Sequence, residues 1–176
     1  FQVFCDPTLR QYAGQDMNGY YLYDSEGVKA RRVANVTDGV LRSFLMSRVP
    51  LDGFPESNGH GRASVGNDPV SRQSNLIVET KTPYGDAQLR QMLRREAKKQ
   101  GKEYGYYFRT VTSGYTMTGE GGSINSFNVT PVEVYRVFVD GRPDELVRGV
   151  SLIGTPLSMF SHIQAGGDKP STFTGV

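Results

Sequence analysis

Residues 19–48 run GYYLYDSEGVKARRVANVTDGVLRSFLMSR, short bursts of Tyr, Val, Leu and Phe interrupted by DSEG and TDG. The turn chemistry directs the reading. Asp38 and Gly39 supply the positive φ that a two-residue type I′ turn demands, so Val33 to Thr37 and Val40 to Met46 are expected to pair as antiparallel strands. Asp24 to Gly27 is expected to reverse the chain in the same way, with Asp24 bonding its own backbone.

Downstream, Ser47 to Ser74 is rich in Gly, Pro, Asn and Ser and nearly free of periodic apolar residues. It reads as a long loop, and loops beyond about 12 to 15 residues in a compact domain are mostly functional or disordered. Leu76 to Val78 resumes an extended pattern. The one clear helix is expected from about Gly85 to Gln100: Asp86 is placed to cap it, Leu89, Met92, Leu93 and Ala97 form one apolar stripe, and Gly101 takes the left-handed end. Arg90, Arg94, Arg95, Lys98 and Lys99 then fall mostly on the wet side. YGYYFRTV, Tyr104 to Val111, reads as a strand, Thr112 to Pro131 as a second long loop, and the segment around Asp140-Gly141 as a hairpin. Pro156 to His162 is expected to form a short final helix packing Leu157 and Phe160 inward. Hairpins around one main helix give an α+β fold with a mostly antiparallel sheet, in one domain over residues 1–176.

Composition narrows the function more than it reveals it. Twenty basic and 18 acidic side chains leave a formal charge of +2, too little to argue for a nucleic acid or a membrane surface as partner. Cys5 is the one cysteine, so no disulfide can staple the chain to itself. No apolar run approaches the roughly 20 residues that span a bilayer. The chain begins at Phe1 without Met and ends in FTGV, which reads as a piece of a longer polypeptide.

His60 and His162 stand far apart and belong to no H-E-x-x-H spacing, so a conventional zinc site is missing. The most suggestive cluster is SNGHGRAS: Gly59 and Gly61 let the backbone approach a ligand, while Asn58, His60 and Arg62 present donors. The other reading is a polar loop with no ligand. Gly119, Gly121 and Gly122 in GEGG lack the preceding strand and the following Lys-Ser/Thr helix of a phosphate loop. Cys5 and the serines have no base beside them in sequence, and Asp24 with Glu26 fits a turn better than an acid–base pair.

Several segments taken in order resemble one family. YDSEGVKARRVANVTDGVLRSFLMSR is similar to the TldD/PmbA pattern of an acidic D-x-E-G turn, a GVL and a basic strand end, carried by Asp24, Glu26, Gly27, Gly39, Val40, Leu41 and Arg48. SNGHGRA followed by PVSRQSNLIVE resembles the family's S/T-x-G loop and R-x-x-N entry, at Ser57, Gly59, Arg72 and Asn75. The closing segment looks alike at Tyr135, Asp140, Gly141, Val147 to Gly154 and Asp168, and Asp6 to Leu9 sits where the carboxy-terminal domain of that family commonly opens.

The resemblance implies a cytoplasmic, bacterial zinc peptidase acting on peptides or unfolded polypeptides, historically labelled a modulator of DNA gyrase. Family members of the TldD type carry an H-E-x-x-x-H helix and a late Cys as ligands. This chain has no H-E-x-x-x-H, its run of Asp168, Phe173, Gly175 and Val176 stops just before the expected Cys, and Cys5 does not match that ligand. The expectation is therefore a domain with no catalytic residue and no metal ligand, inactive alone, with zinc held in the full-length parent. Its role would be to hold substrate, by strand addition at a sheet edge and by contacts from Asn58, His60, Arg62 and Asn75. A second TldD/PmbA-type subunit is the implied partner, as a homo- or heterodimer. In the alternative, the parent is a non-catalytic PmbA-like subunit that pairs with a TldD-like peptidase. No basic stripe interleaved with aromatics supports direct action on DNA.

Overall fold

β1 (Gln2–Cys5), a strand the sequence did not announce, is the central element of the first of two units. The computed structural model describes residues 1–117 and 125–173, and the chain divides into Phe1–Lys81 with the stretch from Pro170, and Thr82–Lys169.

The first unit contains β2 (Gln11–Tyr12), β3 (Gln15–Asp16), β4 (Val33–Thr37), β5 (Val40–Leu41), β6 (Gly61–Arg62), β7 (Val70–Ser71) and β8 (Leu76–Glu79). Its main sheet has the order β5-β4-β1-β8, antiparallel throughout, while β2–β3 and β6–β7 are separate two-stranded ribbons. β1 escapes a local reading because both its partners are distant: Phe4 lies between Ala34 on one side and Ile77 on the other. Val3, Phe4, Cys5, Val33 and Ile77 bury their side chains in consequence.

The TDG hairpin forms as expected, with Asp38 at φ 54° and Gly39 at φ 74°, the signature of a type I′ turn. Its return strand stops at Leu41 rather than Met46. Asn35 bends the chain there, its carbonyl accepting from Arg42 N at 2.7 Å and its amide donating to Ser43 O at 3.2 Å. Met46 N is then taken by the Asn58 side chain. The 47–74 loop is also more ordered than its composition suggests, containing β6–β7 and a Leu51–Phe54 bridge.

The second unit contains β9 (Pro83–Tyr84), α1 (Asp86–Lys99), β10 (Tyr104–Met117), β11 (Ser126–Phe138), β12 (Glu145–Val147), β13 (Leu152–Gly154), α2 (Pro156–Ser161) and β14 (Gly166–Gly167). β10 and β11 are antiparallel and β11 also pairs with β12 and β13; β9 with β14 is a short parallel pair. Most of the proposed second loop is thus strand: β-branched and aromatic residues from Thr112 to Met117 pair with 126–131, and Gly114 fits closely against Val129. Gly119, Gly121 and Gly122 lie outside the described residues.

Gly85 caps α1 in place of Asp86, its N–H bonding the Gln88 side chain, and Gly101 closes the helix at φ 69°. The apolar stripe packs on β10, where Leu93 occupies the space a side chain at Gly105 would need. Two of the cations are not purely solvated: Arg90 pairs with Asp144 over the Tyr107 ring, and Arg94 Nε donates to Phe138 O at 3.1 Å. In α2, Leu157 is 82 % exposed instead of packed, because six residues make barely two turns and Phe160 takes the half-buried side.

Candidate functional site

In the first unit, the DSEG turn and the SNGHGR loop are tied together by one buried carboxylate. Asp24 Oδ1 accepts from the N–H groups of Glu26 and Val28, and Oδ2 accepts from Gly61 N, each at 2.9 Å. Ser25 N returns a bond to Gly61 O at 2.8 Å, and Glu26 Oε2 accepts from Arg48 N at 2.8 Å. The Asp24 turn is therefore both a chain reversal and a clamp on a loop 37 positions away. Glycine is required at position 59, where φ is +78° and a Cβ would collide with Lys29 O, while a Cβ at Gly61 would displace the Glu26 side chain from its bond to Arg48 N.

Three of the four candidate contacts are enclosed by this arrangement. Asn58 Oδ1 accepts from Met46 N and its Nδ2 donates to Phe44 O, both at 2.8 Å. Asn75 Nδ2 donates to Asp6 O and Leu9 O while its Oδ1 accepts from Gly19 N at 2.8 Å. His60 has 0 % of its surface exposed. Its Nδ1 lies 3.2 Å from both Asn58 O and Asn58 Oδ1, two acceptors, so this nitrogen carries the proton in the neutral ring. Nε2 has no partner among the described residues. Burial is the main reason its pKa falls below the ordinary histidine value, with Arg31 adding to the effect and Asp24 and Asp6 opposing it.

Arg62 differs from the other three. It is half-buried on β6, its guanidinium 4.4 Å from the centre of the Tyr21 ring, and it makes no hydrogen bond or ion pair through its side chain among the described residues. Tyr21 OH donates to Gly59 O at 2.9 Å. Burial pushes its pKa up to about 12, against the lowering influence of Arg62, so it remains a donor.

Cys5 is fully buried, accepts from Ser74 N at 3.1 Å, and has its thiol pKa pushed up by burial. His162, in the second unit, is exposed and bonds Ser158 O through Nδ1 at 2.7 Å. Asp168 N donates to Tyr84 O, Phe173 is 66 % exposed, and Gly175 and Val176 lie outside the described residues.

Comparison with known proteins assigns the ancestry of this arrangement. The family model of the PmbA/TldA metallopeptidase C-terminal domain matches residues 1–176. The chain belongs to the PmbA/TldD family. Relatives of this PmbA/TldD chain include a metalloprotease of Methanothermobacter thermautotrophicus, 32 % identical over 94 % of the chain. A metalloprotease of Archaeoglobus fulgidus is 28 % identical over 93 % of the chain, and one of Methanocaldococcus jannaschii 26 % identical over 84 %. The aligned regions cover 32 %, 34 % and 30 % of those proteins, so the chain spans about a third of the length of its relatives. All three are archaeal, so a bacterial source does not follow from them.

The PmbA/TldD family is one of metallopeptidases, but the residues described here do not fit a metal ion. Among the described residues no three His, Cys, Asp or Glu side chains group so as to hold one. His60 is enclosed and Cys5 is committed to Ser74. Among the described residues no helix is long and apolar enough to cross a membrane.

Proposed function

We propose that this chain is the substrate-holding C-terminal domain of a zinc peptidase that cleaves peptides or unfolded polypeptides, with the ion carried by other residues of the parent. The whole-length match to a metallopeptidase C-terminal domain is the observation that carries this reading. Because these residues do not assemble a zinc site, no chemical step is assigned to them.

Two features support a holding role. β10 has one side unpaired among the described residues, and its 14 residues offer an open edge of roughly 46 Å at about 3.3 Å per residue. An extended polypeptide can add to such an edge through backbone hydrogen bonds, with little dependence on its side chains. Arg62 supplies unused donors on a loop held by Asp24. We assign the direct contact to Arg62 and place Asn58, His60 and Asn75 behind it, where their bonds fix the loop and the entry to β8. The full-length protein acts in this reading as a homo- or heterodimer of PmbA/TldD-type subunits in the cytoplasm.

Steady-state cleavage of an unstructured peptide by the full-length parent tests the proposal. Arg62→Ala should raise KM severalfold at unchanged metal content, and His60→Gln should lower kcat/KM through the loop. Cleavage unaffected by both substitutions would remove this loop from substrate binding. A parent containing no H-E-x-x-x-H would instead favour the non-catalytic partner subunit.

A further inference from the structure

Arg62 and Arg72 occupy one face of a two-stranded ribbon. In the β6–β7 register Arg62 faces Val70 and Gly61 faces Ser71, and Arg72 N donates to His60 O at 2.9 Å, which sets Arg72 opposite His60. Side chains alternate along a strand, so residues 60, 62, 70 and 72 share one side of the ribbon while Gly61 and Ser71 share the other. The two guanidinium groups therefore belong to diagonal neighbours, positions whose long side chains can reach one point.

Neither cation is neutralised. None of the ion pairs among the described residues involves Arg62 or Arg72, and neither side chain donates a hydrogen bond to the protein there. The carboxylates brought to the same loop already have other work: Asp24 accepts three backbone N–H bonds and Glu26 accepts from Arg48 N. The Arg62 guanidinium lies over the Tyr21 ring, on a loop that Asp24 anchors through Gly61 N. A guanidinium stacked on an aromatic ring with its donors free, and a second arginine at the diagonal position of the ribbon, complement a planar anion with two acceptor oxygens.

We propose that Arg62 and Arg72 together recognise a carboxylate of the bound polypeptide, supplied by its C-terminal α-carboxylate or by an acidic side chain. The assignment rests on the substrate-holding role above and names the feature of the substrate that this loop selects. Arg62 provides the fixed fork and Arg72, which is exposed, closes from the neighbouring strand.

The test uses the full-length parent and four versions of one unstructured peptide labelled with dansyl, a dye that carries no carboxylate: free acid, C-terminal amide, and each of these with its Glu and Asp replaced by Gln and Asn. Affinity is read by fluorescence anisotropy, and cleavage is read separately. The expected result is that the version lacking every carboxylate binds about tenfold or more weakly than the version with all of them, a loss typical of a charge-assisted hydrogen-bonded pair. The amide series and the Gln/Asn series then identify which carboxylate is read. Arg62→Ala and Arg72→Ala should each abolish that discrimination, and Arg62→Lys should retain part of it. Arg72→Glu should shift preference toward the carboxylate-free peptide, a reversal that a merely structural role would not produce. Equal affinity for all four peptides, or discrimination that survives both alanine substitutions, would overturn the proposal. Binding discrimination without any cleavage would support it while counting against the peptidase reading.

Discussion

Replacing Asp24 by Asn changes one oxygen to an amide and should nevertheless destabilise the first unit strongly. The wild-type carboxylate meets only donors: the N–H groups of Glu26 and Val28 on Oδ1 and that of Gly61 on Oδ2. An asparagine amide must turn its NH2 toward one of these sides, and both present N–H, so either orientation opposes donor to donor. If Oδ1 keeps the two turn bonds, Gly61 N is left buried without an acceptor, at about 1–3 kcal/mol, and the charge assistance of the surviving bonds is also lost. We expect a loss of roughly 2–4 kcal/mol for Asp24→Asn and somewhat more for Asp24→Ala, a large share of the 5–15 kcal/mol that holds a typical domain together. Urea unfolding followed by far-UV circular dichroism measures it, and an unchanged m-value would show that the unfolded state is not what moved. An Asp24→Asn variant within about 0.5 kcal/mol of wild type would refute the clamp, since a surface turn residue costs no more than that.

Four further outcomes follow from the same contacts. His60 has a folded pKa below its unfolded value because of burial, so the unfolded chain binds the proton first as pH falls. Stability should be fully present above about pH 6.5 and decline below it by at most about 1.4 kcal/mol per pH unit, a dependence that His60→Gln removes and His162→Gln leaves intact in urea titrations. Asn75→Asp puts a carboxylate against the carbonyls of Asp6 and Leu9 and should cost about 2–4 kcal/mol by the same assay. Ala13 sits at φ 51°, so Ala13→Gly should raise the urea midpoint by the equivalent of about 0.5–1 kcal/mol. Cys5, buried and with its pKa pushed up, should resist a thiol reagent at pH 8 until urea unfolds the chain; rapid native labelling would contradict its burial.

The parts of this fold that were legible in the sequence are those with local causes. Asp38-Gly39 names its own turn, and Leu89, Met92, Leu93 and Ala97 name the helix face, because each signal is complete within a few residues. β1 was missed because nothing near residues 2–5 reveals partners at 33–37 and 76–79. Gly114 suggested a loop, yet here glycine lets two strands approach, a role composition does not distinguish from a turn. The candidate site divides along the same line. SNGHGR and R-x-x-N pointed to the right region, but whether a polar side chain is enclosed, as Asn58, His60 and Asn75 are, or keeps its donors free, as Arg62 does, depends on Asp24, Tyr21 and Asp6, which are distant in sequence. An internal motif pairing Asp24 with Gly61 would have been needed, and a single sequence contains none.

The central claim is that these residues shape a holder for substrate while the ion belongs to other parts of the parent. Metal content and peptide cleavage, measured side by side on the full-length parent and on residues 1–176 alone, address it directly. Stoichiometric zinc and chelator-sensitive cleavage are expected in the parent, and neither in the shorter chain. Tightly held zinc in the 176 residues, with cleavage that a chelator stops, would contradict it.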